Sequence, residues 1–427
     1  MKKGKECIKN MIDKKVKVVD LFAGVGGFHL GLSRASNQYE VVWANQFEPS
    51  RTKTNQFAFN IYKKNFPDTE ISNTDINKVV KEEIPEMDLL VAGFPCQDYS
   101  VATAGAKGIK GKKGILWWQI RDVISCKKPK FLLFENVDRL LTSPGVRKQP
   151  GRDFGIMLRT LSDLGYGVSW KMINAADYGY PQRRRRTFIF GFRKDTIFYY
   201  ALNNLSKKGD SIIEDFLKTM PPFSSTMLNE TLTDYTKIDL NSYKTLEDVS
   251  DSFSVKKGFS KTGFMINSQV RMSDYVPKTR NEATIGNLLI PNIENEELYL
   301  DSSKIEKFKE LKNGYQKIKT SRTGHSYKYG MGKMQFPDPS NKPARTIVTS
   351  ESSVSRMTHV VRDPGNDRLR LLSPVEAERI NTFPDGWTEL DGVTNANRYF
   401  TMGNALVVDL IKEIGIEILG LIEEDLL

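Results

Sequence analysis

Four short apolar runs stand at Val16 to Val19, Val41 to Ala44, Asp88 to Ala92 and Phe131 to Phe134, separated by amphipathic or polar stretches of helix length. Nearly continuous apolar runs of this length are the pattern of strands buried on both faces, so a parallel sheet covered by helices is predicted. Two further runs, Tyr166 to Ile173 and Thr187 to Phe192, flank the segment Ala175 to Arg186 and are expected to close the sheet as a hairpin. Beyond Lys194 the pattern changes: polar residues dominate to about Asn341, as in a second domain or a set of long loops. Regular patterning resumes near Leu369. There Ser373-Pro374-Val375-Glu376 supplies an N-cap, a first-turn proline and a capping-box glutamate for a short helix ending near Asn381. The tail from Ala405 to Leu427 spaces Val408, Ile411, Ile414, Ile418, Leu421 and Ile422 for one face of a core-packing helix.

With 427 residues the chain exceeds one simple core, and two domains are expected. No apolar stretch is long enough to cross a bilayer. The basic start is followed by charged residues and not by the apolar core of a signal peptide. Cys7, Cys96 and Cys126 lie far apart, without the spacing of a disulfide framework or a zinc site, so a reducing, cytoplasmic compartment and no metal are expected. A net charge of +11 and a pI near 9.2 suit a polyanionic partner, although a lysine-rich solvated surface has the same charge.

Chemistry is sought where apolar runs stop, because ligands of open α/β sheets gather outside the carboxyl ends of the strands. Three unusual segments begin there: the glycine turn Asp20 to Gly27, Gly93-Phe94-Pro95-Cys96-Gln97, and Glu135-Asn136-Val137. The turn leads into a helix starting near Gly27 and lets a ligand approach free backbone N–H groups, as a nicotinamide-binding fold or a mere tight connection also would. Cys96 is followed by glycines and lysines through Gly114, the composition of a hinged, phosphate-seeking lid. A carboxylate directly after a buried strand, such as Glu135, is well held for acid/base work. In the arginine run Arg183 to Arg186, strand alternation puts Arg184 and Arg186 on one side.

Taken in order, these segments resemble the motif set of the C5-cytosine-specific DNA methyltransferases, of the bacterial restriction-modification type. The likeness covers Val16 to about Thr196 and about Pro343 to Val408. Phe22 to Gly27 resembles the methionine-end loop for S-adenosylmethionine, Asp75-Ile76 the acidic adenine-side motif, and Pro95-Cys96-Gln97 the nucleophile motif. Glu135-Asn136-Val137 matches the Glu-Asn-Val motif, Gln182, Arg184 and Arg186 fit Gln-x-Arg-x-Arg, and Gly403 to Val407 resembles the late motif that returns to the cofactor. The resemblance implies a Rossmann-like, doubly wound, mostly parallel α/β sheet of the class I methyltransferases. It places the catalytic domain at 1–200 and 395–427 and a smaller target-recognition domain at 201–394, variable over about 201–341. A cytoplasmic monomer acting on double-stranded DNA, away from any membrane, is expected.

Under that resemblance the Cys96 thiolate adds to C6 of a flipped cytosine, which makes C5 nucleophilic enough to take the sulfonium methyl. Glu135 then holds N3, and Arg186 with help from Arg184 holds the O2 side. The cofactor contacts implied are Phe22, Gly24, Val25, Gly26, Gly27, Gln46, Phe47, Asp75, Ile76, Pro95, Leu116, Asn404 and Ala405. DNA contacts fall to Gln97, Ser100, Lys110, Lys112, Lys113 and Gln182. One departure stands out: Gln46 occupies the position where the family usually has an acidic ribose contact, so either the site is tolerant or Glu48 takes the role. In the variable region, basic and aromatic residues such as Lys256, Arg271, Arg280, Arg322, His325, Tyr327, Lys328 and Tyr329 are expected mainly to grip phosphates.

Methylation of RNA by the same chemistry is the nearest rival, and the roughly 140-residue insert favours DNA. A nicotinamide-dependent oxidoreductase would account for the glycine turn but not for Cys96, Glu135 and Arg186, and the Asn-Pro-Pro-Tyr-like motif of amino-methylating enzymes is missing. Removing the charges of Lys110, Lys112 and Lys113 is expected to weaken DNA binding and flatten its salt dependence, which a titration of affinity against salt concentration checks.

Overall fold

The computed structural model describes residues 15–48, 56–94, 115–144, 149–224, 231–277, 280, 283–320, 324 and 326–426. They fall into two compact units. The described residues within Met1–Asn174, Arg185–Thr279 and Val408–Leu427 form unit 1, and those within Ala175–Arg184 and Arg280–Val407 form unit 2.

Unit 1 is built on one sheet. Its strands are β1 (Val16–Leu21), β2 (Tyr39–Asn45), β3 (Ile71–Ser72), β4 (Leu89–Gly93), β5 (Phe131–Val137), β6 (Tyr166–Asn174), β7 (Arg185–Arg193), β8 (Thr231–Asp239), β9 (Thr262–Ile266) and β10 (Gln269–Val276). Their order is β3-β2-β1-β4-β5-β7-β6-β9-β10-β8. The first five are parallel; four of them follow the apolar runs, β3 is an unpredicted addition, and β1, β4 and β5 are buried along nearly their whole length. The strand order reverses beside β1, which creates the crevice at the carboxyl edge where the glycine turn emerges.

The predicted hairpin forms, but it does not end the sheet. β7 inserts between β5 and β6, and β6 goes on to pair with β9. Residues beyond 200 therefore extend the sheet through β9, β10 and β8, so the expected boundary at residue 200 does not coincide with that of the compact unit. The cause is visible in burial. β9 is buried throughout in only five residues, whereas the edge strand β8 is largely exposed and polar, so neither carries the long periodic signal that marks an element locally.

In unit 2 the helix Pro374–Ile380 carries the predicted capping box. The Ser373 side chain accepts from the Glu376 N–H, and the Glu376 carboxylate accepts from the Ser373 N–H. A preceding ribbon pairs β11 (Tyr315–Thr320) with β12 (Ser326–Met331), and β13 (Val360–Arg362) pairs with β14 (Leu369–Leu371). The helix Asn395–Asn404 also belongs here, and the tail helix begins at Val408, the first apolar position of its predicted face.

The tail helix Val408–Leu426 buries Val408, Ile411, Ile414, Ile418, Leu421 and Ile422, as predicted. It packs on the helix Gly27–Ala35 that follows the glycine turn, and Gly31 permits the approach: a Cβ there would lie 2.6 Å from Ile411 Cβ and 2.9 Å from the Val408 carbonyl oxygen. Replacing Gly31 by Ala is therefore expected to destabilise unit 1 by roughly 1–3 kcal/mol, outweighing the ~1 kcal/mol that alanine gains in helix propensity. A lowered urea midpoint with an unchanged slope is the measurement.

Candidate active site

The carboxyl edge of the sheet assembles from consecutive strand ends. Leu21 stands beside Asn45 on one side and Ala92 on the other, and Gly93 stands beside Glu135. After β1 the chain turns through three left-handed residues, Phe22 at φ 57°, Gly24 at 57° and Gly26 at 88°. For Phe22 this conformation carries steric cost, so the surroundings must hold it. They do so through the Ala23 N–H, which donates to the Asn45 carbonyl at 3.0 Å, and the Gly24 N–H, which donates to Gln46 Oε1 at 2.8 Å.

Gln46 thus has a definite place. Its amide oxygen is spent on the glycine turn, its carbonyl accepts from Asn73 Nδ2 at 2.7 Å, and the side chain is buried. Glu48 is tied by its backbone N–H and carbonyl to the Gln56 side chain. Asn45 Nδ2 reaches the Thr74 carbonyl at 2.9 Å, which fixes the approach to Asp75. The Asp75 carboxylate accepts from the Asn77 N–H and side chain, while Ile76 is buried in the main core. Phe22, Gly24 to Gly27, Gln46, Phe47, Asp75 and Ile76 are all carried on the linked ends of β1, β2 and β3. Leu116 lies in the first turn of the helix Ile115–Lys127 and packs against the same core.

The glycine turn is open on one side and closed on the other. A Cβ at Gly24 would meet nothing within 4 Å, so the space above it is open, whereas one at Gly26 would collide with the Phe66 ring. Below the turn Asp20 is fully buried, its carboxylate has no hydrogen-bond partner among the described residues, and burial pushes its pKa well above the ordinary value.

Glu135 and Arg186 meet directly. Arg186 Nε lies 2.7 Å from Glu135 Oε1, with side chains 17% and 14% exposed, so the pair is screened yet reachable. Next to it, Asn136 is buried and donates from Nδ2 to the Phe94 carbonyl at 3.0 Å, which pins the chain where it leaves β4 toward Pro95. Pro95, Cys96, Gln97, Ser100, Lys110, Lys112 and Lys113 lie outside the described residues.

Strand alternation does not place Arg184 beside Arg186. β7 begins at Arg185, and Arg184 precedes it in unit 2, buried, donating from Nη2 to the Gly403 carbonyl at 3.1 Å. Gly403, Asn404 and Ala405 end the helix Asn395–Asn404 in that unit, not in the unit that holds the glycine turn. Gln182 is fully buried as well. It donates to Asn381 Oδ1 at 2.7 Å and accepts from the Ile347 N–H at 3.1 Å, so it staples unit 2 internally and has no exposed surface to offer DNA.

Residues 16–420 match the family described as C-5 cytosine-specific DNA methylase. The chain belongs to that family. Among its relatives, the type II methyltransferase M.Sau3AI of Staphylococcus aureus is 45% identical over 95% of both chains. The type II methyltransferase M.NlaIV of Neisseria lactamica is 29% identical over 94% of this chain and 98% of its own. In fold, the Entamoeba histolytica methyltransferase EhMeth superposes with a TM-score of 0.57 at 18% identity, covering 97% of this chain and 99% of its own. DNMT2 of Spodoptera frugiperda does so with 0.57 at 14%, covering 95% and 99%. As a C-5 cytosine-specific methylase, the chain is an enzyme of DNA methylation with a class I methyltransferase sheet, and the family implies use of S-adenosylmethionine. No helix among the described residues is long and apolar enough to cross a membrane, and they hold no cluster of potential metal ligands.

The sequence reading missed the support beneath the glycine turn. His29 stacks on Phe66 with ring centroids 3.6 Å apart and shares a 2.8 Å hydrogen bond with the Tyr62 hydroxyl. Phe66 is also the ring that abuts Gly26. A lone histidine on a helix and two aromatics about thirty-five residues away give no local signal of such a cluster. Burial lowers the His29 pKa to about 4. Between the unfolded value near 6.5 and about 4 the unfolded chain binds the extra proton, so stability falls as pH drops through this window, by on the order of 3 kcal/mol when complete. His29→Gln is expected to remove that component, which denaturant titrations of both proteins from pH 7 to 4 test.

Proposed function

We propose that this methylase transfers a methyl group to C5 of a cytosine flipped out of a specific double-stranded DNA sequence, through a transient bond between Cys96 and C6. The observation that carries the reading is the Glu135–Arg186 pair, held on adjacent strands one step from the chain leading to Cys96. A carboxyl group and a guanidinium at this spacing match the N3 and O2 edge of cytosine. When the base enters, each group exchanges its partner for an atom on that edge of the base. Glu135 holds N3 and stabilises the proton there, and Arg186 offsets charge on O2.

The Cys96 sulfur adds to C6, and the electron pair of the C5–C6 bond becomes available at C5. S-adenosylmethionine, when bound, supplies the electrophilic methyl group. A base then takes the C5 proton, the C5–C6 double bond re-forms, and Cys96 leaves as thiolate. Phe22, Gly24 to Gly27, Gln46, Phe47, Asp75, Ile76, Pro95 and Leu116 form the proposed cofactor set. Gln46 acts here by shaping the glycine turn through its amide oxygen. Arg184 is a positioning residue that holds the Gly403 carbonyl ahead of Asn404. Gln97, Ser100, Lys110, Lys112 and Lys113 are proposed to contact DNA.

The recognition role assigned to residues 201–394 belongs in this reading to unit 2, because β8, β9 and β10 are part of the catalytic sheet. Cys96→Ser is expected to abolish methyl transfer while leaving the affinity for S-adenosylmethionine within about twofold. Bisulfite sequencing of DNA from cells expressing each form, with calorimetric cofactor binding, tests it; undiminished cytosine methylation by the variant would refute the mechanism.

A further inference from the structure

We infer that the β11–β12 ribbon of unit 2 is a DNA-reading arm whose Ile318–Lys328 face enters the major groove. This inference rests on the DNA methyltransferase reading above. The ribbon has only two strands, paired from Tyr315 with Met331 to Thr320 with Ser326. Such a hairpin is marginal alone, so its root must hold it.

The root is built for that. Lys312, 1% exposed, lies 2.9 Å from the Asp338 carboxylate, and the Lys312 carbonyl accepts from the Met334 N–H at 2.7 Å. The Arg356 guanidinium donates to the carbonyls of Leu311 and Gly332, one on each side of the ribbon. At the entry, Gly314 turns with φ 82°, and a Cβ there would lie 2.6 Å from the Met331 carbonyl oxygen. The ribbon therefore leaves a fixed base in a fixed direction.

Its blade is the opposite. Alternation puts Gln316, Ile318, Thr320, Ser326, Lys328 and Gly330 on one face, and each is exposed. Ile318, at 75%, is the most exposed large hydrophobic residue among those described. In sequence no Asp or Glu occurs between Glu310 and Asp338, while Lys317, Lys319, Arg322, Lys328 and Lys333 do. In a chain with 52 acidic residues, an acid-free basic ribbon fits a polyanion. Two strands about 4.8 Å apart fit a groove about 12 Å wide, and six residues span about 20 Å, more than its depth of about 8.5 Å. A lone apolar side chain among hydroxyl, amide and ammonium groups is a poor protein-docking patch. It is well suited to base edges, with Ile318 against a thymine methyl and Lys328 on a phosphate.

The test uses the full chain and duplexes containing the target that bisulfite sequencing defines, with each base pair replaced in turn. Ile318→Ser is expected to lose about tenfold or more of discrimination at one base-pair position, with the salt slope unchanged. Lys328→Ala is expected to weaken all duplexes alike and to lower the slope of log affinity against log salt by about 0.9, and Lys328→Arg to restore it. The inference is overturned if base preference survives Ile318→Ser at every position, or if the loss in Lys328→Ala leaves the slope at its wild-type value or is not repaired by arginine. A wild-type chain that methylates no duplex sinks the functional reading itself. A wild type that methylates a defined sequence, with ribbon variants that keep its preferences and slope, sinks the ribbon alone.

Discussion

Parallel register at the carboxyl edge of one sheet governs where the chemistry of this enzyme can stand. Because β1 is flanked by β2 and β4, and β4 by β5, the chain emerges from Leu21, Asn45, Gly93 and Val137 along a single rim. The glycine turn, Gln46, the segment after Gly93 and Glu135 are each the first non-strand stretch after one of those strands or the last residues within it. Hydrogen bonds across the rim then convert proximity into geometry: Gly24 to Gln46, Ala23 to Asn45, and Asn136 to Phe94. A slip of one residue in β5 would send Glu135 to the other face of the sheet and leave Arg186 without its partner.

Unit 2 depends on a different kind of constraint. Arg370 is fully buried between the carboxylates of Asp363 and Glu376, at 2.8 Å from each. Asp338 receives Lys312, Arg345 and the Val360 N–H. Burial opposes its ionisation, yet the Arg345 hydrogen bond and the neighbouring His359, Arg345 and Lys312 charges hold its pKa well below the ordinary value. Buried ion pairs of this kind contribute little net stability relative to packed apolar groups, but removing one partner strands the other, so they enforce one arrangement. The Lys312–Asp338 pair at the root of the ribbon is the clearest case of that rigidity.

The local grammar of the chain was legible wherever an element is specified by its own neighbours. The four parallel strands, the glycine turn with its helix at Gly27, the capping box at Ser373 and the apolar face of the tail helix all follow from patterns within about twenty residues. Illegible were features that arise from distant partners. β9 and β10 join the catalytic sheet through pairing with β6, and Gln182 is drawn inward by Asn381 and Ile347 about 200 and 165 residues away. Arg184 falls before β7 and not within it, which no alternation rule could foresee from four consecutive arginines.

Sequence alone thus determined the class of fold, the order of the chemical segments and the residue types they carry, because these depend on periodicity and on intrinsic side-chain chemistry. Tertiary structure decided which of those side chains meet. It paired Glu135 with Arg186, spent the Gln46 amide on the glycine turn, buried Gln182, and set Asp20 and His29 beneath the turn. The physical reason is that strand pairing and burial are non-local: a residue's partner and its dielectric surroundings are fixed by segments that only the folded chain brings beside it.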